Sequence, residues 1–199
     1  MSAPGEVIAH YDEGQEAARL VTGAGRLELW RTQDILLRQL PPAPASVLDV
    51  GGGPGVYAAW LTGLGYAVHV VDPVPLHVEQ AGRLAGVDAS LGDARDLGGP
   101  ESAYDDVLTL GLLYHLIERA DRLRALRELA RVSRPGGPVA VAAISRYAPV
   151  HDGYLKDRLA AARFVESEPS LLGVSAHLLA LARSGNGTEP SVCGGPRLA

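Results

Sequence analysis

The sequence predicts an α/β fold: an open, doubly wound sheet, mainly parallel, with helices on both faces. Two observations carry this expectation. Between Ser46 and Ile144, short apolar runs of strand length alternate with helical runs. One of those runs, Ser46–Gly55 (SVLDVGGGPG), passes straight into a glycine turn and then into the helical pattern starting at Val56. Strand, glycine turn and helix are how such sheets bring backbone N–H groups to a nucleotide-like ligand.

Taken in order, the chain opens with a polar stretch to about Gly14, then a short helical pattern carrying Ala17, Ala18, Leu20 and Val21 that Gly23 to Gly25 breaks. A second helix is expected over Arg26–Leu40, with Leu27, Trp30, Ile35, Leu36 and Leu40 at helical spacing, and Pro41-Pro42-Ala43-Pro44 ends it. The first strand is Val47–Val50, followed by a helix over Val56–Leu64 that Gly65 closes. The second strand, Ala67–Val71, runs into Asp72-Pro73, and a helix follows from Pro75 to Leu84. Val87–Leu91 is the third strand, ending at Gly92-Asp93. After a loop rich in Gly and Pro, Asp106–Leu110 is the fourth strand, with Gly111 beyond it. Ile117–Ser133 is the clearest helix, with Leu123, Leu126, Leu129 and Ala130 assigned to its apolar face. Arg134-Pro135-Gly136-Gly137 stops it, and Pro138–Ile144 is the fifth strand. Parallel strands joined by helices need right-handed crossovers. Asp49, Asp72, Asp93 and Gly111 then all gather at the carboxyl edge of one sheet, where such folds hold their ligands.

Bulk properties narrow the function classes. With 199 residues the chain is most simply one domain. A net charge of −5 points away from nucleic acid and from anionic membranes. The single cysteine, Cys193, can close no internal disulfide. The start, MSAPGEVIAHYDEG, has no basic or apolar core, and no uncharged run reaches membrane-span length, so a cytoplasmic protein is expected. His10, His69, His77, His151 and His177 lack metal-ligand spacing, so no metal site is expected, and His69 inside a strand reads as structural. The arginines between Arg119 and Arg134 are interspersed with Glu118, Asp121 and Glu128 and read as a solvated helix face.

The glycine turn admits two cofactor classes. Gly53-Pro54-Gly55-Val56-Tyr57-Ala58 fits the dinucleotide pattern G-x-G-x-x-G/A, and Asp72 would serve a ribose diol in either case. Asp49 separates the readings. A carboxylate beside the turn repels a pyrophosphate and attracts a cation. The only lysine, Lys156, completes no Tyr-x-x-x-Lys pair for hydride transfer. A nicotinamide-dependent oxidoreductase therefore stands as an alternative, behind a cofactor that carries positive charge.

On these residues the chain resembles the class I S-adenosylmethionine-dependent methyltransferases of the small-molecule branch, whose domain is Rossmann-like. Asp49-Val50-Gly51-Gly52-Gly53-Pro54-Gly55 fits that family's [D/E]-x-G-x-G-x-G motif. The resemblance implies S-adenosyl-L-methionine as cofactor. It places Gly51, Gly52, Gly53 and Gly55 around the methionine part and Asp49 at that turn or at the ligand's amino group. It gives Asp72 the ribose hydroxyls, Pro73 the side of the adenine, and Asp93 with Ala94 the adenine ring, and it brings Gly111 to the methionine end. Gly25–Thr32 resembles a cap helix, from which Arg31 would pair with the cofactor carboxylate while Tyr11 closes over it. The implied activity is methyl transfer to a small-molecule acceptor by in-line displacement, with a non-catalytic cofactor-binding remnant as the alternative. His115, just beyond Gly111, is a candidate base for the acceptor; the competing reading packs Tyr114 and His115 under the sheet edge.

The resemblance divides the chain into cap helices (1–40), a cofactor-binding domain (41–183) and a disordered tail (184–199). About 55 residues follow Ile144. Tyr154–Glu166 reads as a helix and Val174–Ala182 resembles the family's antiparallel last strand, with no good strand between them. The expectation is a member shortened after its fifth strand, its exposed edge covered by a second copy in a homodimer.

Overall fold

The computed structural model describes residue 20 and residues 25–144 and 177–184. Its elements are α1 (Gly25–Leu37), β1 (Ser46–Val50), α2 (Val56–Gly63), β2 (Ala67–Asp72), α3 (Pro75–Gly82), β3 (Val87–Leu91), β4 (Asp106–Thr109), a single helical turn at Leu113–His115, α4 (Arg119–Val132), β5 (Pro138–Ile144) and β6 (His177–Arg183). The helix expected before Gly23, the one over Tyr154–Glu166 and the tail after Ser184 lie outside the described residues.

The sheet has six strands in the order β3-β2-β1-β4-β5-β6. β1 pairs in parallel with β2 on one side and with β4 on the other. The order therefore reverses between β1 and β4, and this places the ligand edge beyond their carboxyl ends. β6 runs antiparallel to β5, from Pro138 opposite Arg183 to Ile144 opposite His177. The mainly parallel, doubly wound expectation with an antiparallel last strand matches this sheet.

Each face of the sheet buries its own core. On one face Leu36 of α1, Ala58 and Leu61 of α2 and Ala81 of α3 pack on Val47, Val70, Leu108 and Ala140. On the other, Ala125, Leu129 and Val132 of α4 pack on Leu48, Val50, Val107 and Val139. The β1 run Val47, Leu48, Val50 is buried on both faces, which explains why it reads as continuously apolar rather than alternating. The stripe on α4 corrects the expected one: Ala130 faces solvent and Ala125 and Val132 are buried. The arginines of α4 also hold backbone. Arg122 donates to Leu116 O and Ile117 O, and Arg131 donates to Gly98 O and Gly99 O at 2.9 and 3.0 Å. His69 is structural as expected, with Nδ1 2.7 Å from the Tyr104 hydroxyl and Nε2 2.8 Å from Ser90 Oγ. No described helix is long and apolar enough to cross a membrane.

One polar group sits badly in this core. Asp106, opposite Val47 at the amino end of β4, is fully buried, and its carboxylate oxygens have no partner among the described residues. Burial pushes its pKa up to about 7, against the pull of the Arg183 charge. A native pKa raised from 3.8 makes the folded chain bind the extra proton between those values. Stability from this group is thus whole below the ordinary carboxyl range and lost as pH rises to about 7. Asp106→Asn, which mimics the protonated form, is expected to gain roughly 1–3 kcal/mol over the parent at pH 8 and little at pH 4. Urea unfolding at both pH values measures this, and an advantage independent of pH would contradict it.

Candidate functional site

The glycine turn after β1 takes its shape from two carboxylates below it. Gly51 follows the end of β1 and donates its N–H to Val71 O at 2.7 Å. Gly52 has no room for a side chain: a Cβ there would lie 2.6 Å from Asp49 Oδ2. Gly53 donates its N–H to Asp72 Oδ2 at 2.9 Å. The turn is therefore closed from β1 by the bulk of Asp49 and from β2 by a hydrogen bond to Asp72. Gly55 serves another purpose. Its φ of +87° starts α2, and a Cβ there would lie 2.6 Å from Leu84 Cδ1, so glycine lets α2 pack closely on the residues at the end of α3.

Above the turn opens a cavity of about 490 Å³ at the carboxyl edge of the sheet. Of the residues expected there, Asp49, Gly51, Gly52, Gly53, Asp72, Pro73, Asp93, Ala94, Gly111 and His115 line it. Two do not. Gly55 lies behind the turn, for the packing reason just given. Arg31 is exposed on α1 and paired with Asp34 at 3.2 Å, because a salt bridge one turn away on its own helix is the nearer partner. Tyr11 lies outside the described residues.

The carboxylates on the wall are held very differently. Asp72 is buried and tied into the fold: Oδ1 accepts from the Val74 N–H at 2.9 Å and from His77 Nδ1 at 3.1 Å, while Oδ2 takes the Gly53 N–H. Asp49 is buried with neither oxygen partnered among the described residues. Burial first, and the neighbouring Asp72 charge second, push its pKa up to about 7. Asp93 is gripped by Arg95 through the backbone N–H at 2.9 Å and the guanidinium, which holds its carboxyl below the usual range. Arg95 reaches on to Asp121 at the start of α4, 2.8 Å away, and so braces the loop after β3 against that helix. The expectation of Asp93 as a ready acceptor for an amine thus meets a residue already bonded several times over.

At the far end, Gly111 and Leu112 leave β4 beside the turn. A Cβ on Gly51 would lie 2.8 Å from Leu112 Cβ, and one on Gly111 3.5 Å from the Tyr114 hydroxyl. The rings of Tyr114 and His115 lie 4.5 Å apart between centroids, tilted by 53° to each other. The sequence reading missed Glu28, Tyr57, His77, Arg95 and Asp121 on the wall. His77 and Tyr57 sit at helical positions whose apolar neighbours pointed to core. Glu28 and Asp121 come from helices that only the fold brings to this edge. In all, Glu28, Asp49, Asp72, Asp93, Glu118 and Asp121 line the cavity, with Arg95 the sole arginine or lysine among the described lining residues. Such a wall favours a cationic ligand and opposes a pyrophosphate.

Known proteins agree with this geometry. Residues 47–137 match a family described as methyltransferase domain. A demethylmenaquinone methyltransferase of Corynebacterium urealyticum is 32% identical over 176 residues, 83% of this chain and 74% of that protein. A ubiquinone biosynthesis O-methyltransferase of Methylocella silvestris is 32% identical over 105 residues, 50% of this chain and 40% of that protein. Among solved structures, the PH0226 protein from Pyrococcus horikoshii OT3 superposes with a TM-score of 0.58 at 22% identity, over 66% of this chain and 65% of that one, a likeness of fold. The strand order, the acid-backed glycine turn and these relatives agree: the chain belongs to the class I S-adenosylmethionine-dependent methyltransferase family.

Proposed function

We propose that this chain binds S-adenosyl-L-methionine in the cavity above Gly51–Gly53 and transfers its methyl group to a small-molecule acceptor. The observation that carries the reading is Asp49: a buried carboxylate without a hydrogen-bond partner among the described residues, set under a glycine turn on a wall rich in acids. Leaving such a charge uncompensated is costly, and a cation brought to it removes the cost. The residues fit the cofactor. Asp49 faces the positively charged methionine end, the backbone of Gly51–Gly53 approaches it closely, and Asp72 accepts from the ribose. Ala94 and Pro73 flank the adenine, with Asp93 accepting from its amine in competition with Arg95. When bound, S-adenosylmethionine supplies a methyl group on a cationic sulfur, which an acceptor oxygen, nitrogen or carbon takes by in-line displacement. The protein's share is to orient the two partners and to keep water out of the space between them. Tyr114 and His115 line the wall beside Gly111 where an acceptor would enter, and His115 is the group we assign to take a proton from it. The acceptor class follows the named relatives, of which one is a demethylmenaquinone methyltransferase and another serves ubiquinone biosynthesis.

The first test is thermal unfolding with S-adenosylhomocysteine, S-adenosylmethionine or NADH. A ligand at 100 times its dissociation constant adds about 2.7 kcal/mol to the native state. Stabilisation by the two sulfur compounds and not by NADH is expected; the reverse pattern would support a nicotinamide enzyme, and no shift at all would reject cofactor binding.

Asp49 gives a sharper prediction, because it works against the fold and for the ligand. Asp49→Asn is expected to raise the stability of the ligand-free chain at pH 8, by on the order of 1.4 kcal/mol for each unit of displaced pKa. It is also expected to weaken S-adenosylhomocysteine binding at least tenfold. In the parent, affinity should fall about tenfold per pH unit below 7, as the carboxylate that meets the cation takes up a proton. Calorimetric titration from pH 5.5 to 8.5 reads all of this, and a flat profile shared by parent and variant would remove Asp49 from the site. Asp72→Ala should cost roughly 1–3 kcal/mol of binding through the lost ribose acceptor, measured in the same titration.

A further inference from the structure

His77 lies in the first turn of α3 and is 3% exposed, with its ring turned back over the end of β2 and onto the cavity wall. Its Nδ1 stands 3.1 Å from Asp72 Oδ1. An ionised carboxylate can only accept, so Nδ1 carries the proton and donates it. The same oxygen also accepts the Val74 N–H at 2.9 Å. With two lone pairs to offer, Oδ1 is saturated. Oδ2, which takes the Gly53 N–H at 2.9 Å, keeps one lone pair. A ribose presents two adjacent hydroxyls, and a carboxylate held in this way has room for only one of them.

We propose that His77 is a positioning residue: by saturating Asp72 Oδ1 it fixes the carboxylate so that the cofactor's ribose meets Oδ2 alone, through a single hydroxyl. The inference rests on the ribose placement proposed above. Three donors, from the glycine turn, the turn after β2 and α3, hold the carboxylate. Of the three, only the imidazole can be removed without altering the backbone. Without it, Oδ1 regains a lone pair on the cavity side, and Asp72 can take both hydroxyls, as an ordinary ribose-binding acid does.

The test compares the parent chain with His77→Asn, whose amide can donate in place of Nδ1, and His77→Phe, which keeps a flat ring and no donor. Each is titrated with S-adenosylhomocysteine and with its 2′-deoxy and 3′-deoxy analogues, and the readout is the ratio of each analogue's dissociation constant to that of the parent ligand. These ratios cancel differences in how much protein is folded, so a purely structural role for His77 leaves them unchanged. The expected result is that His77→Phe changes the ratio for at least one deoxy analogue by about tenfold, the worth of one charge-assisted hydrogen bond, while His77→Asn keeps both parental ratios. Identical ratios in all three proteins, with S-adenosylhomocysteine binding intact, would overturn the role of His77 and leave the cofactor reading standing. If the parent chain does not bind S-adenosylhomocysteine, the cofactor reading falls and this inference falls with it.

Discussion

Two carboxylates buried under one glycine turn set the terms for the whole ligand edge. Asp49 is the last residue but one of β1 and Asp72 ends β2, and the charge of the second adds to the burial of the first in raising the Asp49 pKa. Like charges this close are tolerable only if one is neutralised by hydrogen bonds or protons and the other by a ligand. The fold divides the two tasks. Asp72 receives donors from Gly53, Val74 and His77 and so becomes part of the architecture. Asp49 receives none from the described residues and is left for what enters the cavity. The parallel sheet makes this possible, because its strand ends bring acids from separate chain segments to one edge while the helices seal both faces around them.

Much of this was legible in the sequence. The apolar run before Gly51 and the Asp after each of the early strands are local signals, and a parallel sheet turns local signals into one shared edge without further information. The limits of β1 to β5 fall within a residue of those expected because Gly and Pro mark most of the connections between them. Gly52 adds what the sequence does not show: its missing side chain makes room for the Asp49 carboxylate itself.

What the sequence leaves open is which partner each of these residues takes once the chain is folded. Gly55 belongs to the motif and yet its absent side chain accommodates Leu84 rather than a ligand. Arg31, expected at the cofactor carboxylate, pairs with Asp34 one helical turn away. Asp93 lines the expected edge, and its partner is Arg95, two residues on, which Asp121 anchors from α4. On α4, Ala130 and Ala125 are chemically identical, and only the angle at which the helix meets the sheet decides which is buried.

Arg131 has a consequence for how the molecule opens. Its side chain grips Gly98 O and Gly99 O, its own carbonyl accepts the Ser102 N–H at 2.8 Å, and the next carbonyl, of Val132, accepts from Tyr104 at 3.1 Å. The irregular stretch between β3 and β4 thus draws its backbone order from the last turn of α4. Amide exchange in this stretch should follow that of the helix end and not the fast rates of an ordinary surface loop, since neither can open while the other stays closed. The connection that leads from β3 at the cavity edge back to β4 is in this sense an outgrowth of α4.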